Sequence, residues 1–361
     1  MAARLSASSV SRTSCRYSTL ALALLLVSGG AVPSARAGER VVLAGDRVSV
    51  HNLVGRLTIL PGDGESAVAE IDRLGRDANR LRVESGQLRG FQALRIIYPS
   101  NRIHVKDFGG RSTFWVRDDG TLDGKTGDGH KVEITGRHDG LDARADVKLY
   151  VPKGVRLEVK WGHGSAEVDE VAASVAIEGA SLDVEGSRNT GPLSISVGSG
   201  SVRVASGRGS IHVETGSGDV EVQDTESGKV VIETGSGTIR ASGIDAPTLS
   251  FETGSGDIEA AGIRSEKASL ETGSGRVELE LRSDTDLLHV ETGSGDVVVS
   301  VPQGIGARVH LESGSGPIET SIPLQVTKRT RRELTGTIGD GRGNLSLETG
   351  SGRVELRTAE R

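Results

Sequence analysis

The chain has 361 residues, a formal net charge of -6, 51 glycines and only 2% aromatic residues. So few rings exclude a core of large side chains, and 35% hydrophobic residues exclude a disordered chain. The acidity argues against nucleic acid and against anionic lipid as partners.

Arg4, Arg12 and Arg16 precede the apolar run Leu20-Ala21-Leu22-Ala23-Leu24-Leu25-Leu26-Val27, and Ala35-Arg36-Ala37 then supplies a small-x-small cleavage pattern. This predicts a signal peptide over residues 1–37 and an exported chain: periplasmic, cell-surface or secreted. The run is too short to span a bilayer and nothing later is apolar enough, so no stable membrane span is expected in the mature chain. Removing Arg4, Arg12, Arg16 and Arg36 takes the formal net charge from -6 to -10. Cys15, the single cysteine, leaves with the signal, which excludes disulfides, thiolate metal sites and cysteine nucleophiles from the mature chain.

Residues 38–160 read as a divergent N-terminal β cap. Val48 to Ile59 form a strand, glycine, strand pattern around Gly55. Ala67, Ile71, Leu74, Ala78 and Leu81 fall at helical spacing, but Gly75 and Asn79 weaken a helix and β structure is preferred. A loop-rich flap follows over about 100–140, with turn signals at Asp118-Asp119-Gly120 and Gly127-Asp128-Gly129. Except for Phe251, the aromatics after the signal lie at or before Trp161, as expected if this portion covers the open end of a stack.

From Trp161 to the C-terminus the chain repeats. Gly-Ser-Gly begins at Gly198, Gly216, Gly235, Gly254, Gly273, Gly293, Gly314 and Gly350, with spacings of 18, 19, 19, 19, 20, 21 and 36. The double gap contains a degraded copy, Leu334-Thr335-Gly336-Thr337-Ile338, and weaker copies stand at Gly162-His163-Gly164 and Gly179-Ala180-Ser181. About eleven units emerge, each alternating apolar and polar on both sides of its glycines, the period of half-buried strands. Val213, Ile232, Phe251, Leu270, Val290, Leu311 and Leu347 form one apolar column, and Val220, Ile239, Ile258, Val277, Val297, Ile318 and Val354 another. The glycines suit a corner where strands stack at roughly 4.8 Å and only a residue without Cβ fits. The fold class expected is therefore all-β: a β-solenoid of about eleven rungs of roughly 19 residues over 161–361, capped by 38–160.

These features resemble a family of bacterial β-strand-repeat adhesin-type proteins built on a domain of unknown function. The resemblance rests on the leading strand Leu149-Tyr150-Val151-Pro152-Lys153-Gly154, the serial Glu-Thr-Gly-Ser-Gly units, and the closing Leu334 to Gly339 and Leu345 to Gly352 segments. It covers most of 41–358 and implies an exported, envelope-associated β-solenoid. It supplies no catalytic residues, and the flap departs from the shorter family pattern.

Chemistry-bearing residues are sparse. Glu214, Glu233, Glu252, Glu271, Glu291, Glu312 and Glu348 share one outward column, which with Asp219, Asp257 and Asp296 nearby offers a divalent-cation ladder as one reading and a solvated face as the other. His212, His289 and His310 share a second column, in which His289 and His310 could pair. Lys328, Arg329, Arg331 and Arg332 form the one basic run, either a dock for an acidic polymer or a solvated loop. No Gly-x-Ser-x-Gly elbow, phosphate loop or dinucleotide fingerprint occurs. Trp115 and Trp161 are the possible ligand contacts, because sugar platforms need aromatic rings. The expectation is a non-enzymatic adhesin or envelope scaffold with no cofactor, whose partner is an envelope protein or a surface glycan. Alternatives are a polysaccharide-binding or polysaccharide-processing β-helix, and a cation-binding structural rod.

Overall fold

The computed structural model describes residues 38–106, 108–122, 129–137 and 139–359. The expected signal peptide and the turn residues Gly127 and Asp128 lie outside them. The described chain is all-β: one 26-stranded sheet winds through the molecule and a 3-stranded sheet forms the flap. Helix is confined to one 3-10 turn, Ala78–Arg80, so the helical spacing over 67–81 becomes the strand Ala67–Leu74 and that turn. Among the described residues no helix is long and apolar enough to cross a membrane.

From Arg156 to Val301 each repeat lies parallel and in register beside the next in sequence. Val213 sits beside Ile232, then Phe251, Leu270 and Val290. Beyond the corner Val220 sits beside Ile239, Ile258, Val277 and Val297. Both columns are buried. Period-2 alternation explains this placement, since in-register parallel strands put the same position of every repeat on the same face. The strands before the corners, such as Ile211–Ser217 and Lys229–Ser236, form one side of the winding sheet, the first sheet, and those after them, such as Val220–Glu226 and Ile239–Asp245, form the facing second sheet. Neither strand of a rung could bury its apolar side alone; the adjacent rungs and the facing strands do it.

The corner glycines are required by stacking. A Cβ on Gly254 would lie 2.6 Å from the Gly235 carbonyl oxygen, and one on Gly256 would collide with the Gly237 carbonyl. Gly256 and Gly275 do not adopt a left-handed φ. Close approach of one corner to the next, and not an unusual backbone angle, therefore selects glycine at these positions. A threonine before the pair completes three of these corners. Thr253, Thr272 and Thr292 are buried and donate their hydroxyls to the carbonyls of Gly237, Gly256 and Gly275 at 3.1, 2.9 and 2.8 Å.

At both ends the stack departs from chain order. Gly343–Thr349 pairs with Leu287–Thr292 on one side and with Ala307–Ser313 on the other, so the last repeat is threaded between two earlier ones. Val354–Thr358 likewise lies between Val297–Val301 and Ile318–Thr320. Glu333–Ile338, expected as a degraded rung, instead runs antiparallel against Ala307–Ser313, with Gln325–Arg329 antiparallel outside it. The reason is steric: Leu334 occupies the place of the first corner glycine, where Gly235 already approaches the Gly216 carbonyl so closely that a Cβ would lie 2.6 Å away. A leucine cannot turn that corner, so the strand stays straight and closes the end.

The other end mirrors this arrangement. Arg47–Pro61, bent at Gly55, pairs with Arg156–Asp169 on one side, and with Phe91–Ile97 and Arg144–Val151 on the other. Antiparallel strands lie outermost: Arg82–Leu88 on Phe91–Ile97, Ala67–Leu74 on Arg144–Val151, and Glu39–Leu43 on Ala67–Leu74. The flap, Arg102–His104, Arg111–Val116 and His130–Thr135, is inserted between the two halves of the Phe91–Val151 rung.

Candidate functional site: a groove between the flap and the carboxylate column

Arg111–Val116 pairs antiparallel with His130–Thr135, and alternation along it buries Val116 while leaving Phe114 and Trp115 half-buried. These rings overhang the outer face of the first sheet, where Lys160, Glu178, Ser196 and Glu214 stand in register on successive rungs. Together they line a groove of about 520 Å³. Lys160 Nζ lies 2.6 Å from a Glu178 carboxylate oxygen, and Ser196 Oγ donates to Glu214 at 3.3 Å. The groove thus offers ring faces on one wall and hydroxyl and carboxylate acceptors on the other.

The two tryptophans meet here in different roles. Trp115 keeps part of its ring open, whereas Trp161 is 1% exposed and forms the floor. The Trp161 indole N–H donates to the Gly55 carbonyl at 3.0 Å, fixing the bend of the neighbouring rung. Asn52 and Tyr98 complete that bend: Asn52 Nδ2 donates to the Ala145 carbonyl at 2.8 Å, and the Tyr98 hydroxyl lies 2.8 Å from Asn52 Oδ1. Burial pushes the Tyr98 phenol well above its usual pKa.

His51 continues the outward column one rung below Lys160, but the turn after Trp115 covers it. Leu122 N–H donates to His51 Nδ1 at 3.4 Å, so the imidazole serves as an acceptor beneath the flap. Burial, and after it the Lys160 charge, holds its pKa down to about 4. His163, whose ring lies 4.3 Å from that of Phe108, is likewise shifted down by burial.

In the other direction the column becomes uniformly acidic: Glu214, Glu233, Glu252, Glu271 and Glu291 in chain order, then Glu348, then Glu312. A second groove of about 500 Å³ runs along it and shares Ser196 and Glu214 with the first, so the two are continuous. The neighbouring aspartates face other partners. Asp219, Asp257 and Asp296 accept the backbone N–H of Thr238, Arg276 and Arg353 on the next rung at 2.9, 2.8 and 2.8 Å. Among the described residues no group of three or more His, Cys, Asp or Glu side chains is placed to hold a metal ion.

His289 and His310 are not neighbours: the threaded last repeat puts Ser346 between them, which corrects the pairing their chain order suggests. Each stands instead 3.4 Å from a glutamate, His289 from Glu291 and His310 from Glu312. Lys328 and Arg329 lie on the exposed outermost strand, and Lys328 is 2.5 Å from Glu333.

Sequence reading missed two further features. The second sheet carries a trough of about 840 Å³, floored by Ala241 and Ala260 and walled by ion pairs such as Arg240 with Glu259 and Arg357 with Glu278, both 3.4 Å. The buried threonine ladder was legible as the invariant residue before Gly216, Gly235, Gly254, Gly273, Gly293 and Gly350. The trough had no comparable signal, because Arg357 reaches Glu278 only through the threading.

The profile of a family described as Toastrack DUF4097 matches residues 142–357, more than half of the chain. The chain belongs to that family. The Toastrack match begins beyond the flap, so the floor of the groove comes from family sequence, while the wall carrying Phe114 and Trp115 does not. Two solved structures are similar to this Toastrack chain. One, from Clostridium sporogenes, is described as a "putative cell adhesion protein"; it is 11% identical over 89% of this chain and 98% of that one, with a TM-score of 0.26. The other, from Parabacteroides merdae, is described as a "putative adhesin"; it is 12% identical over 74% of this chain and 96% of that one, with a TM-score of 0.36. No curated protein matches the chain.

Proposed function

We propose that this Toastrack protein is an exported, non-enzymatic adhesion or envelope-scaffold module that binds a surface glycan or envelope protein along its first-sheet face, starting at the flap groove. The observation that carries this reading is the continuity of one outward column, from the aromatic groove at Trp115 through Glu214 to Glu312, across the parallel rungs. A face that repeats the same side chain at each rung suits a partner that is itself repetitive, since each added rung can add one more equivalent contact. Residues 38–160 act in this reading as a cap that blocks addition of further strands, and residues 1–37 as the export signal.

Of the two partner classes, the groove favours a glycan. Trp115 supplies a ring face, and Ser194, Ser196 and Glu214 line the same space with hydroxyl and carboxylate groups that can accept sugar hydroxyls. The test is binding of the mature chain to a glycan array and to isolated envelope, compared with Trp115→Ala. A loss of binding on the order of tenfold or more is expected, the equivalent of about 1.4 kcal/mol. Trp161 is unsuitable for this comparison, because its removal would empty the core under the groove. Unchanged binding by Trp115→Ala would remove the groove from the reading, and release of reducing sugar ends by the wild-type chain would replace it with an enzyme.

A further inference from the structure

The threaded last repeat carries a consequence beyond ligand binding. Gly343–Thr358 fills a slot between the rungs Leu287–Val301 and Ala307–Thr320, and the slot is specific for this kind of sequence. A Cβ at Gly350 or Gly352 would collide with the carbonyl of Gly293 or Gly295, and one at Gly314 or Gly316 with that of Gly350 or Gly352. Thr349 donates to the Gly295 carbonyl at 2.8 Å, Ser313 to the Gly352 carbonyl at 2.8 Å, and Arg353 N–H to Asp296 at 2.8 Å. A hydroxyl residue followed by Gly-Ser-Gly meets these demands on both sides at once, and this chain carries several such repeats.

The segment is also tethered in a way that allows exchange. A short turn, residues 339–342, joins it to the antiparallel strand Glu333–Ile338, and Gly339 and Gly341 hold φ values of +53° and +71° there. That turn must straddle Ala307–Ser313, which pairs with both segments it joins. The rung Ala307–Thr320 pairs with Leu287–Val301 only through this segment, so exchange requires the end of the stack to open, and an identical segment from another molecule then closes it with identical contacts. Simple edge-to-edge association at this end is disfavoured, because the outermost strand, Gln325–Arg329, is exposed and carries Lys328 and Arg329.

We infer that Gly343–Thr358 is an exchangeable rung, and that the slot between Leu287–Val301 and Ala307–Thr320 accepts the same segment from a second copy of this chain, joining the two by a swapped repeat. Arg308 and Asn344 are exposed neighbours across the slot, with Arg308 Nε donating to Asn344 Oδ1 at 3.0 Å. The chain from Gly38 onward contains no cysteine. An untagged Arg308→Cys chain and a mass-tagged Asn344→Cys chain are unfolded together, refolded at rising concentration and oxidised. The expected result on a non-reducing gel is a mixed disulfide dimer several-fold more abundant than either like-with-like dimer, with a yield that rises with concentration. Placing both cysteines in one chain at low concentration should give an internal disulfide, showing that the variants fold in register. The pair His310→Cys and Ser346→Cys repeats the measurement at the next outward position. Like-with-like dimers as abundant as the mixed one, or monomer at every concentration alongside the internal disulfide, would overturn the inference.

Discussion

His51 shows how one residue couples the flap to the stack. Its neutral imidazole accepts the Leu122 N–H, and burial with the Lys160 charge beside it holds the folded pKa near 4, against 6.5 in the unfolded chain. The folded state therefore binds fewer protons than the unfolded state between these values, and stability falls as the pH is lowered through that window. The full effect is about 3 kcal/mol, since one pKa unit corresponds to about 1.4 kcal/mol. The loss is absent above pH 6.5 and complete below about pH 4. Denaturant unfolding followed between pH 7 and pH 4 should show this loss, and His51→Gln should flatten the slope. An unchanged slope in that variant would mean that the acid sensitivity resides elsewhere.

At the scale of a strand column, the two outer faces handle charge in opposite ways. On the second sheet Arg203, Glu221, Arg240 and Glu259 alternate in sign from rung to rung, with Arg203–Glu221 and Arg240–Glu259 separations of 3.4 Å, and Glu278, which follows Glu259, is 3.4 Å from Arg357. From Glu214 to Glu312 the first-sheet column stacks only glutamates, so uniform charge there is a property of this face and not a demand of the fold. Like charges opposite one another cost roughly 0.2–1 kcal/mol per pair, and added salt shortens the screening length from about 10 Å at 0.1 M to about 3 Å at 1 M. The melting temperature should therefore rise with ionic strength, and calcium at matched ionic strength should do no more than sodium. A calcium-specific rise at millimolar concentration, reversed by chelator, would instead favour the cation-binding rod. Replacing Glu252 and Glu271 by Gln should raise the melting temperature at low salt and shrink the salt effect.

Across the whole molecule, the repeat was legible and its order was not. Period-2 alternation, the glycine spacing and the two apolar columns define the rung, and the strand pattern around Gly55 marks a rung far ahead of the regular series. The threading could not be read, because every repeat presents nearly the same surface to its neighbours, so no residue says which repeat it should lie against. The one available clue was Leu334 at a corner position, since a repeat unable to turn leaves its place open. The groove was half legible for the same kind of reason: Trp115 stood out by type, but Lys160, Glu178 and Ser196 gain meaning only from the flap above them.

Stack order and chain order predict opposite behaviour for the C-terminus. Chain termini commonly fray and exchange amide hydrogens first. Here Leu345, Leu347, Val354 and Leu356 are each no more than 1% exposed and lie inside the stack, whereas Gln325–Arg329, earlier in the chain, is exposed at its end. Burying those four side chains contributes about 1.5–3 kcal/mol each, so opening their rung costs an appreciable share of a typical domain stability of 5–15 kcal/mol. Hydrogen exchange should therefore find the amides of Leu345–Thr349 protected like those of Leu288–Thr292, and Gln325–Arg329 exchanging much sooner. Early exchange over 345–358, with 325–338 still protected, would mean that the repeats stack in chain order and that the last one closes the end itself. Otherwise the rungs Ala307–Thr320 and Glu333–Ile338 depend on a segment made after them, and the end of the stack closes only once the final repeat is in place.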